Sequence, residues 1–505
     1  MLVCVLAFGL PGPSSAQEPM GRSAHEVTVE LPPCDPANPA VAIIRSNQGW
    51  AALSDPAKRV FCVAPGDYSA AGPIRLVSVS GSAAEPRVIR RLESELHPVD
   101  QAQEDRVVIQ ALSLKRADHW IIDGLTIQDS PPYTNWVQDS SHNVLNRLLV
   151  ERSQGPFDIK SIDGISAHNV LQNSVLRENA VIPGRDVNCL NLRAPQQPGL
   201  EARGNKVLNN EIYDCTDALQ LQIQESGVPT GTMPGTIIDE NDFYLTSAMY
   251  SDCEGNMDPQ GACACAEVGL DLKIGGSGRG LADAVVVTNN RMWGFRPTGT
   301  CGGSGQNGEI VSVSGTVKYV LIRGNVLFDA GRGIHLANAA SHVSIIGNTI
   351  VDIRGGRYET LGIGLGPYSE AHGNTVSRVD GPWAVVVGPA ELRCNVVLDS
   401  GGAVTRETGT PVADYNAYYG TPPYSRPGAN DIVKSNAADS GNERYCVWTR
   451  RWTGPKRVCF PRVAPTPGSP HAEFCDSWTG SAVGMSIVDE GGPPRRPILG
   501  DAGLP

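Results

Sequence analysis

Val320-Leu-Ile-Arg-Gly-Asn-Val-Leu-Phe-Asp-Ala330 and, 23 residues on, Val343-Ser-Ile-Ile-Gly-Asn-Thr-Ile-Val-Asp-Ile353 are two copies of one unit: a short β-prone run, an Asn at a turn, and a second β-prone run. Aligned on that Asn, the unit recurs at Asn146, Asn173, Asn210, Asn241, Asn290, Asn325, Asn348, Asn374 and Asn395, with Gly124 in the same place one coil earlier. The closest copies lie 21 to 27 residues apart, and the longer intervals contain Gly- and Pro-rich insertions. A third run follows most units, such as Phe157-Asp-Ile-Lys160. Three short strands per turn of chain, with Asn in register, predict an all-β fold, a right-handed single-stranded parallel β-helix. Its coils stack at the strand spacing of about 4.7–4.9 Å, and aligned Asn amides can bond from one coil to the next. A propeller or sandwich would need hairpins with two-residue turns, which are scarce here.

Outward from the repeat, the ends read differently. Residues 1–16 combine an apolar run with Ser14, Ser15 and Ala16, which predicts a signal peptide and a secreted or periplasmic protein. Residues 17–104 read as an N-terminal cap and first coils, with a short capping helix near Gln48 to Asp55. Residues 105–412 read as the β-helix, and 413–505 as an irregular, disulfide-rich C-terminal cap. An end cap is expected because the last coil otherwise exposes its apolar end. Without Cys4, twelve cysteines remain; their spacing gives no clean zinc pattern, and disulfides are the better reading, even for the Cys253, Cys263 and Cys265 group.

The 505 residues hold 41% hydrophobic side chains and no later apolar run long enough to span a bilayer. A formal net charge of −12 argues against nonspecific nucleic-acid binding, which needs a basic field. That charge leaves room for an anionic substrate, an acidic polysaccharide, where basic residues gather locally, and the chain is expected to be a monomer.

Such a gathering is visible in the third strand of each coil: FDIK (157–160), LNLR (190–193), LQLQ (219–222), LDLK (270–273), VSVS (311–314), IHLA (334–337) and IGLG (363–366). Alternation sends the first and third residues inward and the second and fourth outward. One outward column is then Asp158, Asn191, Gln220, Asp271, Ser312, His335; the other is Lys160, Arg193, Gln222, Lys273, Ser314, Ala337. The first is a polar row, and the second supplies cations for an anionic sugar polymer. Long insertions (225–234, 247–266 and 297–307) converge on the coil of Asp271 and Lys273, as loops do around a site on a rigid scaffold. A lysine close to other cations, here Arg193 and Lys160, is expected to have its pKa lowered toward the general-base range.

The Asp-Leu-Lys strand, 271–273, resembles the catalytic strand of polysaccharide lyase family nine, one of the pectate-lyase-like β-helix families. The resemblance implies Lys273 as the Brønsted base of a β-elimination on a uronate polymer; the cation column itself offers Arg193 as a second catalytic residue. The resemblance also implies Ca2+ held by Asp271 with Glu267 and Asp217 or Asp214, calcium favouring several oxygen ligands. Lys160, Asp158, Asn191, Gln220, Gln222 and His335 would bind substrate. Gln220 and Gln222 stand where that family would carry acids.

Two other classes stay open. A β-helix glycoside hydrolase needs a carboxylate pair at about 5–5.5 or 6.5–9.5 Å. Asp158 and Asp271, three coils apart, are about 14 Å from one another and are excluded; Asp217 or Glu267 with Asp271 is not. The Gly-His-Gly and paired-Asp signatures of polygalacturonase-type hydrolases and the Asp-Pro-His motif of uronan epimerases are missing. The third class is a non-catalytic glycan-binding surface protein using aromatics such as Tyr133, Trp136 and Trp293. His142 and His335 read as surface or turn histidines.

Overall fold

The computed structural model describes residues 25–461 apart from 93–95, 180–186, 223–230, 250–266, 297–307, 338, 356–359, 403, 409–411, 422–428, 430, 435–443, 451–452 and 454–455. The expected signal peptide and the Cys253, Cys263 and Cys265 group lie outside the described residues.

Each coil gives one strand to each of three long parallel sheets, as the repeat predicts. Sheet 1 runs from Val41–Ile44 to Val412–Asp414, sheet 2 from Gly66–Asp67 to Ile432–Lys434, and sheet 3 from Ile74–Val77 to Thr405–Thr408. Coils therefore begin before residue 105 and continue past 412. One coil reads Lys318–Arg323 in sheet 1, Val326–Ala330 in sheet 2 and Arg332–Leu336 in sheet 3. Strand alternation turns one face of each sheet inward, and a single apolar core fills the barrel from Ile44 to Tyr418. At the N-terminal end a 3-10 helix, Asn47–Ser54, lays Trp50 and Leu53 against the first coils.

The corner between sheets 1 and 2 explains the Asn signal and corrects it. The residue at the bend is left-handed, which favours Gly, as at Gly324 (φ 65°), Gly347 (φ 62°) and Gly373 (φ 63°). The next residue is the ladder Asn. Eight of them run in series: Asn210, Asn241, Asn290, Asn325, Asn348, Asn374, Asn395 and Asn416. After Asn210, whose oxygen accepts from Ser174 N, each side-chain oxygen accepts from the preceding Asn, and each side-chain NH2 also reaches a backbone carbonyl, as in Asn290 to Ile238 (2.9 Å). Asn146 and Asn173 do not belong to the series. Asn173 is itself the left-handed bend (φ 53°), a conformation Asn tolerates, so Ser174 holds the ladder place and accepts from Leu148 N. Asn146 precedes the bend at Arg147 and bonds Asp123 instead. A second, shorter amide series, Asn143, Asn169 and Asn205, supports the turn before sheet 1.

Two disulfides are described, Cys34–Cys62 and Cys189–Cys215, with Cα separations of 5.8 and 5.5 Å. Cys394 is also disulfide-bonded. No described helix is long and apolar enough to cross a membrane.

Candidate active site on the third sheet

The outer faces of sheets 1 and 2 carry the protein's own terminal segments. Val27 and Gln172 exchange hydrogen bonds across sheet 1 (3.1 and 2.9 Å), and Arg90 donates to the carbonyls of Leu31 and Pro32. On sheet 2, Tyr213, Tyr244, Trp293 and Phe328 form a continuous ring stack. Val458, from the hairpin of Arg444–Thr449 and Lys456–Pro461, packs against that stack, while Thr453 binds Glu211. Trp293 is therefore a packing residue. Sheet 3 carries the polar row.

We label its strands there β1 (Trp136–Gln138), β2 (Phe157–Lys160), β3 (Leu190–Arg193), β4 (Asp217–Gln222), β5 (Val268–Leu272), β6 (Glu309–Val313) and β7 (Arg332–Leu336). Their register places Asp158, Asn191, Gln220, Asp271, Ser312 and His335 side by side, and likewise Lys160, Arg193 and Gln222. Lys273, just past β5, donates its backbone N–H to Leu221 beside Gln222.

The columns leave the barrel, as alternation requires, but they do not all point into solvent. Asp158, Asn191, Gln220 and Asp271 are buried, because neighbouring coils bond them laterally into chains. In the first chain, Asp158 Oδ1 accepts from Asn191 Nδ2 and Arg193 Nε, both at 3.0 Å, and Lys160 Nζ stands 3.8 Å from Oδ2. That ammonium also lies 4.4 Å from the centre of the Trp136 ring. Burial pushes the Lys160 pKa down, Asp158 opposes this, and Arg193 adds to it.

In the second chain, Gln220 Nε2 donates to Asp217 Oδ2 (3.0 Å) and to Asp271 Oδ2 (2.8 Å). Asp271 Oδ2 also receives Lys273 Nζ at 2.8 Å, and Asn188 Nδ2 links Asn191 (3.0 Å) to Gln220 (3.3 Å). Cys189, beside Asn188, is tied to Cys215, two residues before Asp217, so one covalent clamp holds both strand entrances.

The expectation that cations lower the Lys273 pKa is overturned. Burial pulls it down, but the attraction and hydrogen bond of Asp271, with Asp217 and Glu267 behind it, lift it above the ordinary lysine value. Arg193 and Lys160 instead spend their charge on Asp158, two and three coils away. Lys273 thus rests as an ammonium, with its side chain 41% exposed.

A third group went unread in the sequence. Glu309, at the start of β6, is buried; its Oε1 accepts from Arg332 Nη1 (2.7 Å) and its Oε2 stands 3.3 Å from His335 Nδ1. His335 is therefore no unsupported surface histidine. Glu309 and Arg332 face one another only through strand register, and no local motif announces it.

The calcium donor set can be tested on the same atoms. Asp217 and Asp271 face one another through the Gln220 NH2, Asp271 also takes the Lys273 ammonium, both donors, and Asp214 turns away to Thr246 (2.7 Å). Among the described residues no group of three or more His, Cys, Asp or Glu side chains gathers as metal ligands. As arranged, this set does not fit a calcium ion. Elsewhere, a groove of about 490 Å³ lined by Arg296, Asp329, Asp352 and Arg354 has its arginines paired with those aspartates.

These features define a right-handed parallel β-helix with a lysine–carboxylate–amide cluster on its third sheet. No protein-family profile and no curated protein matches the chain. Among solved structures, the chain is similar to a PL6 family alginate lyase, AlyGC, at 13% identity and a TM-score of 0.51, over 91% of this chain and 60% of that one. It thus spans about three fifths of that enzyme's length. Pectate lyase Pel9A matches at 16% identity and a TM-score of 0.35, over 72% of this chain and 73% of that one. A GH136 lacto-N-biosidase from Eubacterium ramulus matches at 9% identity and 0.35, over 79% and 68%. At such identities the shared property is the fold, the parallel β-helix.

Proposed function

We propose that this protein is a secreted polysaccharide lyase that cleaves a uronate-containing polymer by β-elimination on sheet 3. The observation that carries the reading is the Lys273–Asp271 pair, at 2.8 Å, on a strand whose neighbours present Lys160 and Arg193 in register. β-Elimination needs a proton taken from the carbon α to the carboxylate and one delivered to the leaving oxygen. Lys273 is the cation of its chain, and its side chain, 41% exposed, is able to meet a sugar. As an ammonium it is the proton donor; it becomes a base only when substrate draws Asp271 off it. Arg193 and Lys160, half neutralised by Asp158, bind the carboxylates of neighbouring sugars. Gln220 keeps Asp271 in place, and no step passes through calcium.

Hydrolysis is the second reading, favoured by one distance pair. The Asp217 and Asp271 oxygens share the Gln220 amide at 3.0 and 2.8 Å, which keeps them close enough to admit a retaining pair, whose carboxyl groups stand about 5–5.5 Å apart. One experiment separates the classes. The protein is incubated with a panel of uronate polymers, with calcium and with a chelator, while absorbance from unsaturated ends and new reducing ends are followed. A lyase yields both and loses both in Lys273→Ala; a hydrolase yields reducing ends alone; a glycan-binding protein yields neither.

A further inference from the structure

His335 projects from β7, two coils beyond Asp271, with Ser312 between them and Gly364 in register on its far side. Along the strand direction the next outward places are Ser314 and Ala337. The imidazole therefore stands beside a row of small side chains on the outer face of sheet 3. Lys273 stands on the same face, at a backbone separation on the order of 12 Å given two coil spacings and two residues along the strand. Two side chains of that reach can close on one sugar ring from opposite sides.

The ring is not free to turn. Its Nδ1 stands 3.3 Å from Glu309 Oε2, and Glu309 is itself held by Arg332 Nη1 at 2.7 Å and by Ser312. Glu309 and Arg332 are both buried, whereas the His335 side chain is 27% exposed. A carboxylate on Nδ1 sets the neutral ring in the tautomer that leaves a lone pair on Nε2, the relationship that orients a general-base histidine elsewhere. Among the described residues Nε2 has no hydrogen-bond partner. A buried Glu–Arg pair could satisfy itself alone; here its second oxygen is spent on a partly exposed imidazole on the outer face of sheet 3.

We propose that His335 is the proton acceptor of this site, with Glu309 and Arg332 as the residues that position it. The role rests on the lyase reading above. Nε2 takes the proton from the carbon bearing the carboxylate, and the electron pair of that C–H bond becomes the new double bond. The adjacent C–O bond breaks, and the leaving oxygen takes the proton of the Lys273 ammonium. The imidazolium then returns its proton to solvent, and the Lys273 amine takes one up from solvent, which restores both groups.

The test uses the full chain on whichever uronate polymer the wild type cleaves. His335→Gln, at a half-exposed position, is expected to lower kcat by about 10²- to 10⁴-fold with KM changed only a few-fold, the range general-base groups supply. Glu309→Gln, which weakens the hold on Nδ1, is expected to lower kcat in part with KM little changed; Glu309→Asp restores part of the rate. Nitrogen-15 NMR of labelled histidine reads the positioning directly: the Nδ1–H tautomer of His335 is present in the wild type and lost in Glu309→Gln. A wild type that cleaves while His335→Gln retains full kcat overturns this role and leaves the lyase reading intact. A His335 ring found in the Nε2–H tautomer overturns it independently of any rate. A wild type that produces no unsaturated ends from any polymer overturns both.

Discussion

Replacing Asn290 with Ala tests whether the amide ladder holds the coil that leads from Lys273 to Glu309. Asn290 is fully buried and makes four side-chain hydrogen bonds, all at 2.9 Å: it accepts from Asn241 N and Nδ2, and donates to Ile238 O and Asn325 Oδ1. Two of the four partners keep another bond, since Asn241 Nδ2 still reaches Val207 O and Asn325 Oδ1 still accepts from the residue 290 amide. The Asn241 N–H loses its acceptor in a place without solvent. A buried orphan costs about 1–3 kcal/mol and each ordinary bond about 0.5–1.5, so a total of about 3–4 kcal/mol is expected. Repeat coils open locally, so hydrogen–deuterium exchange over 237–244 and 285–293 is the suitable measurement. At about 1.4 kcal/mol per decade, exchange there should accelerate roughly a hundredfold or more, with coils near Val41–Ile44 unchanged. Acceleration below about fivefold would refute the reasoning and mean that the ladder adds no more than ordinary strand pairing.

Loss of the Cys189–Cys215 clamp, by Cys189→Ala with Cys215→Ala, should cost about 3 kcal/mol for a loop of this size and lower Tm; the same variant should weaken oligouronate binding, because Asn188 and Asp217 flank the bridge. Lys160→Met keeps the packing on Trp136 and removes the charge, so affinity for oligouronates should fall about tenfold at low salt, and its dependence on salt should flatten in a titration series. The Asp352 carboxyl is held below the usual carboxylate range chiefly by its hydrogen bond to Arg378. A depressed acid stabilises the fold above its unfolded pKa and loses that contribution as pH falls through the folded value. Arg378→Ala should therefore narrow the fall in Tm below about pH 4 while lowering Tm at neutral pH by a degree or so, the pair being partly exposed.

Much of the site was legible because strand alternation and repeat register are both local properties. Once FDIK, LNLR, LQLQ and LDLK are stacked, Asp158, Asn191, Gln220 and Asp271 must fall in one row, and they do. The slip at Asn146 and Asn173 was equally local in origin. An Asn can serve as the left-handed bend or as the ladder amide, and the letters do not say which.

By itself the sequence determined the parallel β-helix, the face each strand residue takes, and which residues become neighbours from coil to coil. Those follow from a period of two along each strand and one repeat per coil. The tertiary structure decided what the neighbours do to one another. It spent Lys160 and Arg193 on Asp158, gave Lys273 to Asp271, and aimed Gln220 at two carboxylates at once. It also set Glu309 between Arg332 and His335 and laid both described terminal segments over sheets 1 and 2. The reason is physical: a repeat specifies where a backbone goes, whereas charge pairing and burial depend on ångström-scale reach across coils that are distant in sequence.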